Sequence, residues 1–147
     1  MEILKKFQAN YEPTIEIYND YSNNFDDIKN KILTKLNINL NDYTYDLIEK
    51  ETNAGYKMKY HRDSYMLRKF TDIHIFIPFN ECKLPIYTLI WYGNTNCKGG
   101  TLEFLSKKLY NPEEHLFVFF DSNDIHRVNE QLSGIRRTKI YKFYECK

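Results

Sequence analysis

The first 45 residues are polar, and their clearest apolar periodicity predicts a helix. Apolar residues recur there at intervals of three and four: Phe25, Ile28, Ile32, Leu33 and Leu36. This spacing places apolar side chains on one face of a helix. Asn24 or Asn23 suits the N-cap position, because a short side-chain oxygen can accept a hydrogen bond from the first turn. We expect a helix over Phe25–Leu36 and a loop over Asn37–Asp42.

From Tyr43 onward the pattern changes to short, aromatic-rich runs that are typical of strands. The predicted strands are Thr44–Lys50, Lys57–Tyr60, Thr71–Phe79, Tyr87–Tyr92, Thr101–Leu105, Leu116–Phe120 and Thr138–Tyr144. Turn-forming sequences separate them, namely Asn53-Ala54-Gly55, Gly93-Asn94, Lys98-Gly99-Gly100, Asn111-Pro112 and Ser133-Gly134. Leu116–Phe120 is apolar throughout, which predicts a strand covered on both faces. Many short strands with regular turns predict a mainly β sandwich, barrel or jelly roll.

Length and charge narrow the class of protein. The 147 residues fit one domain, with residues 1–45 as a helix-containing support packed on a β core of residues 46–147. The 21 basic and 20 acidic residues leave a net charge of +1, which argues against a protein built around a nucleic-acid backbone. No apolar run approaches the roughly 20 residues of a membrane-spanning helix. Met1–Asn10 lacks the apolar core of a signal peptide.

The cysteines point to a reducing compartment. Cys82, Cys97 and Cys146 form an odd set without a CxxC spacing, so neither a disulfide framework nor a zinc site is expected. We therefore expect a cytoplasmic or nuclear protein that is neither secreted nor bound to a membrane.

One short motif carries candidate metal ligands. His61 and Asp63 stand two apart, so on an extended chain both side chains point the same way, roughly 7 Å apart. This HxD is weak alone, because the chain has four histidines and 20 acidic residues. The metal-site interpretation becomes stronger because a predicted buried strand leads to His126, and Arg136 follows ten residues later. Two imidazoles and one carboxylate would form a facial triad, which suits non-haem Fe(II).

The ordered set of motifs resembles the 2-oxoglutarate/Fe(II)-dependent dioxygenase superfamily, in particular its prolyl 4-hydroxylase-like branch. The set comprises His61-x-Asp63, Gly99-Gly100-Thr101-Leu102-Glu103-Phe104, His126 and Gly134-x-Arg136-x-Thr138. It covers about Gly55 to Tyr144. The resemblance implies a double-stranded β-helix, a cupin-like jelly roll, which agrees with the strand pattern.

The resemblance also implies site residues and cofactors. His61, Asp63 and His126 would be the catalytic metal ligands for Fe(II), with 2-oxoglutarate and O2 as cosubstrates and ascorbate an optional addition. Arg136 would bind the distal carboxylate of 2-oxoglutarate through paired charge-assisted hydrogen bonds. Thr138 and Tyr92 would contact the same carboxylate. Arg137 remains an alternative to Arg136.

The implied activity is hydroxylation of a C–H bond, in first place that of a prolyl residue in a protein or peptide, with release of succinate and CO2. The alternatives are a lysine residue, a small molecule or a nucleobase as substrate, a cupin-like metal enzyme without 2-oxoglutarate, and a non-catalytic jelly-roll binding module. AlkB-type nucleic-acid demethylases carry a second arginine six positions beyond the anchor. Here Lys142 occupies that position, or Phe143 if Arg137 is the anchor, so a nucleic-acid partner is not expected.

The remaining expectations concern the surroundings of the site. Loops near the mouth of the site are expected to hold a protein substrate, for example Asn53–Lys59, Ser64–Phe70 or Asn80–Ile86. Four phenylalanines are candidates for an apolar lining: Phe76, Phe104, Phe117 and Phe119. His74 and His115 are expected to be structural residues.

Overall fold

The computed structural model describes residues 15–19, 24–63, 65–70, 73–78, 85–93 and 95–145. Several expectations fall outside them. They concern Met1–Asn10, Cys82, Cys146, the side chains of His74 and Phe76, and the part of the Asn80–Ile86 segment before Pro85.

The predicted helix, α1, spans Phe25–Leu36 and is confirmed. Its N-cap is Asn24, whose Oδ1 accepts hydrogen bonds from the backbone N–H groups of Asp26 and Asp27. It ends at Asn37, which has a left-handed φ of 57° and donates its N–H to the Leu33 carbonyl. An asparagine therefore stands at each end of the helix: Asn24 caps the first turn with its side chain, and Asn37 ends the last turn with its left-handed backbone.

Twelve strands follow one another along the described residues. They are β1 (Ile15–Asn19), β2 (Tyr43–Thr52), β3 (Met58–His61), β4 (Tyr65–Phe70), β5 (Ile73–Pro78), β6 (Tyr87–Tyr92), β7 (Asn96–Gly99), β8 (Leu102–Phe104), β9 (Leu109–Tyr110), β10 (Leu116–Asp121), β11 (His126–Val128) and β12 (Gln131–Glu145). The larger sheet has the order β1-β10-β6-β12-β2, with β7 beside β12. The smaller sheet has the order β3-β11-β8-β9, and β4 pairs with β5. Every pairing is antiparallel.

Two apolar layers flank the larger sheet, and β10 contributes to both, as its apolar sequence predicts. Phe117 and Phe119 pack in the layer under α1, beside Ile28 and Ile32. The alternate residues Leu116, Val118 and Phe120 pack in the second layer, against Leu102 and Phe104 of the smaller sheet. The chain is therefore mainly β, with two facing antiparallel sheets and a helix packed on the outer face of the larger one.

Some of the expected loops and turns contain strand residues. Tyr65–Phe70, within the expected loop Ser64–Phe70, forms β4, and Lys98 and Gly99 belong to β7. Ser133-Gly134 is not a turn but lies inside β12, where the pairing with β7 slips by a residue between Gln131 and Ser133. Gly134 follows this irregularity, pairs with Cys97 and has a φ of 79°, a left-handed conformation that glycine adopts without strain.

Among the described residues, no helix has the length and apolar character needed to cross a bilayer.

Candidate active site

A cavity of about 530 Å³ lies against the inner face of the larger sheet and contains the predicted site. Much of its wall is aliphatic, from Ile48, Met58, Ile90, Leu102, Val128 and Ile140. Of the candidate phenylalanines whose side chains the structure describes, none lines the cavity: Phe104 is buried with its ring centroid 5.6 Å from that of His126, and Phe117 and Phe119 face α1. The apolar part of the wall is therefore built from aliphatic side chains rather than from these phenylalanines.

The structure brings His61, Asp63 and His126 together. His61 ends β3 and lies opposite His126, the first residue of β11, while Asp63 follows β3 in a turn. Their potential ligand atoms all lie within 4.8 Å of one another. Asp63 Oδ1 is 3.2 Å from His126 Nε2 and 3.4 Å from His61 Nε2. Two neighbouring strands of the smaller sheet, β3 and β11, therefore bring two imidazoles close to one carboxylate.

The two imidazoles are oriented by backbone carbonyls. His61 Nδ1 lies 2.7 Å from the Lys59 carbonyl oxygen, and His126 Nδ1 lies 2.8 Å from that of Asp124. Because a carbonyl oxygen only accepts, each Nδ1 carries a hydrogen, and each Nε2 is the ring nitrogen that faces Asp63. Two ring nitrogens facing a carboxylate require either protons or a cation between them. A divalent metal fits this donor set, and the carbonyls support the ligands as outer partners usually do.

Asp63 is held from the larger sheet. Thr88 Oγ1 donates a 2.7 Å hydrogen bond to Asp63 Oδ2 and lies 3.0 Å from Ser122 Oγ. The Asp63 N–H donates to the Ser122 carbonyl at 3.0 Å. Burial raises the pKa of Asp63, but His126, His61 and the charge of Lys142 together hold it well below its usual range. The carboxylate is therefore kept ionised and aimed at the imidazoles.

Thr88 and Ser122 were missed by sequence reasoning. A threonine inside the apolar run Tyr87–Tyr92 was the available signal for Thr88, because a buried hydroxyl needs a partner.

Arg136 points inward and Arg137 outward. Arg136 is only 3% exposed; its Nε donates to the Gly100 carbonyl at 3.1 Å and its Nη2 to the Tyr92 hydroxyl at 3.3 Å. Within the described part of the chain, no carboxylate pairs with it. Arg137 Nε instead binds Glu51 at 2.9 Å. Of the two arginines, Arg136 is the one that lines the cavity.

Tyr92 and Thr138 lie beside Arg136, opposite each other on β6 and β12. Tyr92 is fully buried behind Arg136 and is not part of the cavity wall. Burial raises the pKa of Tyr92, while the Arg136 charge opposes the rise, so the phenol stays protonated. Thr138 does line the cavity, and its buried Oγ1 lacks a hydrogen-bond partner among the described residues. A guanidinium without a carboxylate and an unsatisfied hydroxyl fit an anionic ligand such as a carboxylate.

Comparison with known proteins identifies the architecture. No family model and no curated protein matches the sequence. Among solved structures, the viral collagen prolyl hydroxylase of Paramecium bursaria Chlorella virus-1, in complex with 2OG, aligns with a TM-score of 0.59 at 15% identity, over 100% of this chain and 92% of that one. The fold is that of the prolyl 4-hydroxylases. This structural similarity confirms the predicted double-stranded β-helix.

Two further structures of this fold support the assignment. A prolyl-4-hydroxylase from Pseudomonas putida aligns with a TM-score of 0.56 at 15% identity, over 82% of this chain and 63% of that one. An oxidoreductase of the 2OG-Fe(II) oxygenase family from Burkholderia pseudomallei aligns at 0.52 with 8% identity, over 97% of this chain and 78% of that one. This chain spans less than two thirds of the Pseudomonas structure.

Proposed function

We propose that this protein is an Fe(II)- and 2-oxoglutarate-dependent dioxygenase that hydroxylates a C–H bond. One observation carries the proposal: a single cavity contains the His61, Asp63 and His126 donor set together with an inward arginine, Arg136, that lacks a carboxylate partner. A metal would bind the first group, and the distal carboxylate of a diacid would bind the second. The solved structures of the same fold, one of them a 2OG complex, support this assignment.

Each part of the site has a distinct task. Bound Fe(II) and 2-oxoglutarate would supply oxygen activation, placing one atom of O2 in the product hydroxyl and the other in succinate, with release of CO2. His61 and His126 offer their Nε2 lone pairs, and Asp63 offers the negative charge. Arg136 and Thr138 hold and orient the diacid. The aliphatic wall excludes water from the reacting atoms.

For the substrate we propose a prolyl residue in a peptide or protein. The named prolyl hydroxylases of the same fold support it. The segment Asn53–Lys59 also contributes Tyr56, Met58 and Lys59 to the cavity wall, as expected of a segment that contacts a substrate. A single domain over residues 1–147 and a cytoplasmic or nuclear location remain predictions.

A non-catalytic binding module is the weaker proposal. Such a module has no use for three converging ligands whose tautomers are set by backbone carbonyls, nor for an inward arginine.

Anaerobic absorption spectroscopy tests the function. Addition of Fe(II) and 2-oxoglutarate is expected to produce the weak visible charge-transfer band of the chelate, and admission of O2 is expected to form succinate. Asp63→Ala is the control and should show neither. A parent protein that binds no Fe(II), or binds it without the band, would contradict the proposal. A proline-containing peptide screen then tests the substrate.

A further inference from the structure

The cavity wall is strongly cationic beyond the needs of the proposed cofactors. Five basic side chains line it, Lys50, Lys59, Arg62, Arg136 and Lys142, against one acidic side chain, Asp63. Arg136 is assigned to 2-oxoglutarate and Asp63 to the metal. The two positive charges of Fe(II) and the two negative charges of 2-oxoglutarate cancel, so the cofactors do not neutralise the other four cations.

Basic side chains on the two faces of the β2–β12 strand pair differ in their partners. On the outer face of β2 and β12, Lys139 Nζ lies 3.8 Å from Glu49 and Arg137 Nε lies 2.9 Å from Glu51. On the inner face, Lys50 stands opposite Thr138, and its Nζ lies 3.5 Å from the Tyr56 hydroxyl. In the ranges that the structure describes, neither Lys50 nor Lys59 has an acidic partner.

Lys142 does not carry the inference, because its cross-strand neighbour is Asp46. The excess positive charge is therefore assigned to Lys50 on β2 and Lys59 on β3, both of which line the cavity.

Cations that line the same cavity repel one another and concentrate anions. Acidic groups arriving with a substrate would relieve the repulsion, whereas a basic substrate would increase it. The same arrangement rejects partners with the wrong charge.

We propose that the substrate of this site is an acidic peptide, with Asp or Glu side chains close to the hydroxylated residue that pair with Lys50 and Lys59. The inference rests on the proposed function for its reacting centre, but not on that residue being proline. A peptide is favoured over a nucleic acid because the chain as a whole has a net charge of only +1 and because the outer-face cations near the cavity are paired with glutamates.

Direct binding tests the proposal without turnover. Fluorescein-labelled short peptides with a central proline and flanking Glu, Gln or Lys residues are titrated with protein loaded with Mn(II) and N-oxalylglycine, and anisotropy is followed. The Glu peptide is expected to bind about 10-fold or more tightly than its Gln isostere, and the Lys peptide weakest. The preference should shrink as salt rises to about 0.5 M, because exposed charges are then screened. Equal affinity for the Glu and Gln peptides would overturn the proposal.

Charge-reversal variants test whether Lys50 and Lys59 are the residues that bind the acidic peptide. Lys50→Glu and Lys59→Glu should each weaken binding of the Glu peptide about 3- to 10-fold and reduce its preference over the Gln peptide. Lys98→Glu is the matched control, because Lys98 is exposed on β7 outside the cavity wall and the change in net charge is the same. An equal loss in Lys98→Glu would assign the effect to net charge and overturn the proposal.

Two comparisons keep this test separate from the proposed function. A labelled single-stranded oligonucleotide that binds more tightly than the Glu peptide would overturn the choice of a peptide. Since anisotropy needs no chemistry, a Glu preference without the Fe(II)/2-oxoglutarate band would contradict the proposed function alone. The band without a Glu preference would contradict this inference alone.

Discussion

Arg136 and Arg137 show that the face of the strand on which a side chain lies decides which partner it can bind. Arg136 and Arg137 are consecutive in β12, so their side chains point to opposite faces of the sheet. Arg136 lies in the cavity wall, and Arg137 reaches Glu51 on the outer face.

Arg136→Ala should raise the 2-oxoglutarate concentration needed for half-maximal succinate formation. Loss of one partner of a buried charge pair costs about 3–5 kcal/mol, which corresponds to 10²-fold or more. Arg137→Ala is the matched control and removes only an exposed pair, worth at most about 1 kcal/mol of folding stability. A normal 2-oxoglutarate requirement in Arg136→Ala would remove this arginine from the site.

Asp63→Ala should abolish metal binding and 2-oxoglutarate decarboxylation. The change deletes the only negative ligand of the proposed triad and leaves two neutral imidazoles, which hold a divalent ion poorly. Titration with Mn(II), followed by electron paramagnetic resonance, measures the affinity directly. Parent-like Mn(II) affinity would show that the ion binds elsewhere.

Thr88→Val should weaken metal binding while preserving the fold. The hydroxyl donates to Asp63 Oδ2 at 2.7 Å, and valine has the same shape without the donor. Removing the outer partner of a metal ligand typically costs about 10- to 100-fold in affinity. Thr95→Val is the control, because Thr95 contacts the Arg137 backbone and does not contact the triad. If both variants bound Mn(II) equally well, Thr88 would not position Asp63.

At the scale of elements, prediction from sequence succeeded where local chemistry sets the boundary. The apolar spacing and the Asn24 cap define α1, and the apolar run Tyr87–Tyr92 is β6. Prediction failed where tertiary contacts decide. Gly134 signals a turn in sequence, yet pairing with β7 keeps it inside a continuous strand.

Which face of a strand each side chain occupies was harder to predict than the strands and the helix themselves. In β10 both faces are buried, so the sequence has no polar alternation to show which phenylalanines face the cavity side. The triad and Arg136 could be foreseen because their ordered spacing is specific. Thr88 and Ser122 act only through contacts between strands that are distant in sequence.

The left-handed backbone at Gly134, packed against Asn96, predicts a specific loss of stability when this glycine is replaced. A Cβ at this position would overlap the backbone of Asn96, and the φ of 79° is unfavourable for alanine. Gly134→Ala should therefore lower the free energy of unfolding by more than about 2 kcal/mol. Gly55→Ala is the control: its φ is 96°, but no atom lies within 4 Å of an added Cβ, so only the backbone cost of about 1 kcal/mol is expected. Denaturant unfolding measures both; equal losses would mean that β7 is not held against β12 at Gly134.

At the scale of the whole molecule, the proposed metal site connects the two sheets. His61 and His126 belong to β3 and β11 of the smaller sheet. Asp63 is tied to the larger sheet through the Thr88 hydroxyl on β6 and to the turn after β10 through the Ser122 carbonyl. An ion held by all three residues would join the sheets at the point where they face each other across the cavity.

Metal binding should therefore stabilise the whole fold. At a Mn(II) concentration of about 100 times Kd, the free energy of unfolding should rise by about 2.7 kcal/mol, which corresponds to a Tm increase of about 5–10 °C for a chain of this size. Hydrogen exchange should slow in β3 and β11 together with β6, because opening either sheet would then require release of the ion. EDTA should reverse both effects, and Asp63→Ala should show neither. If the same Tm increase appeared in Asp63→Ala, the ion would be stabilising the protein from another site, and the two sheets would be held together by their apolar layer alone.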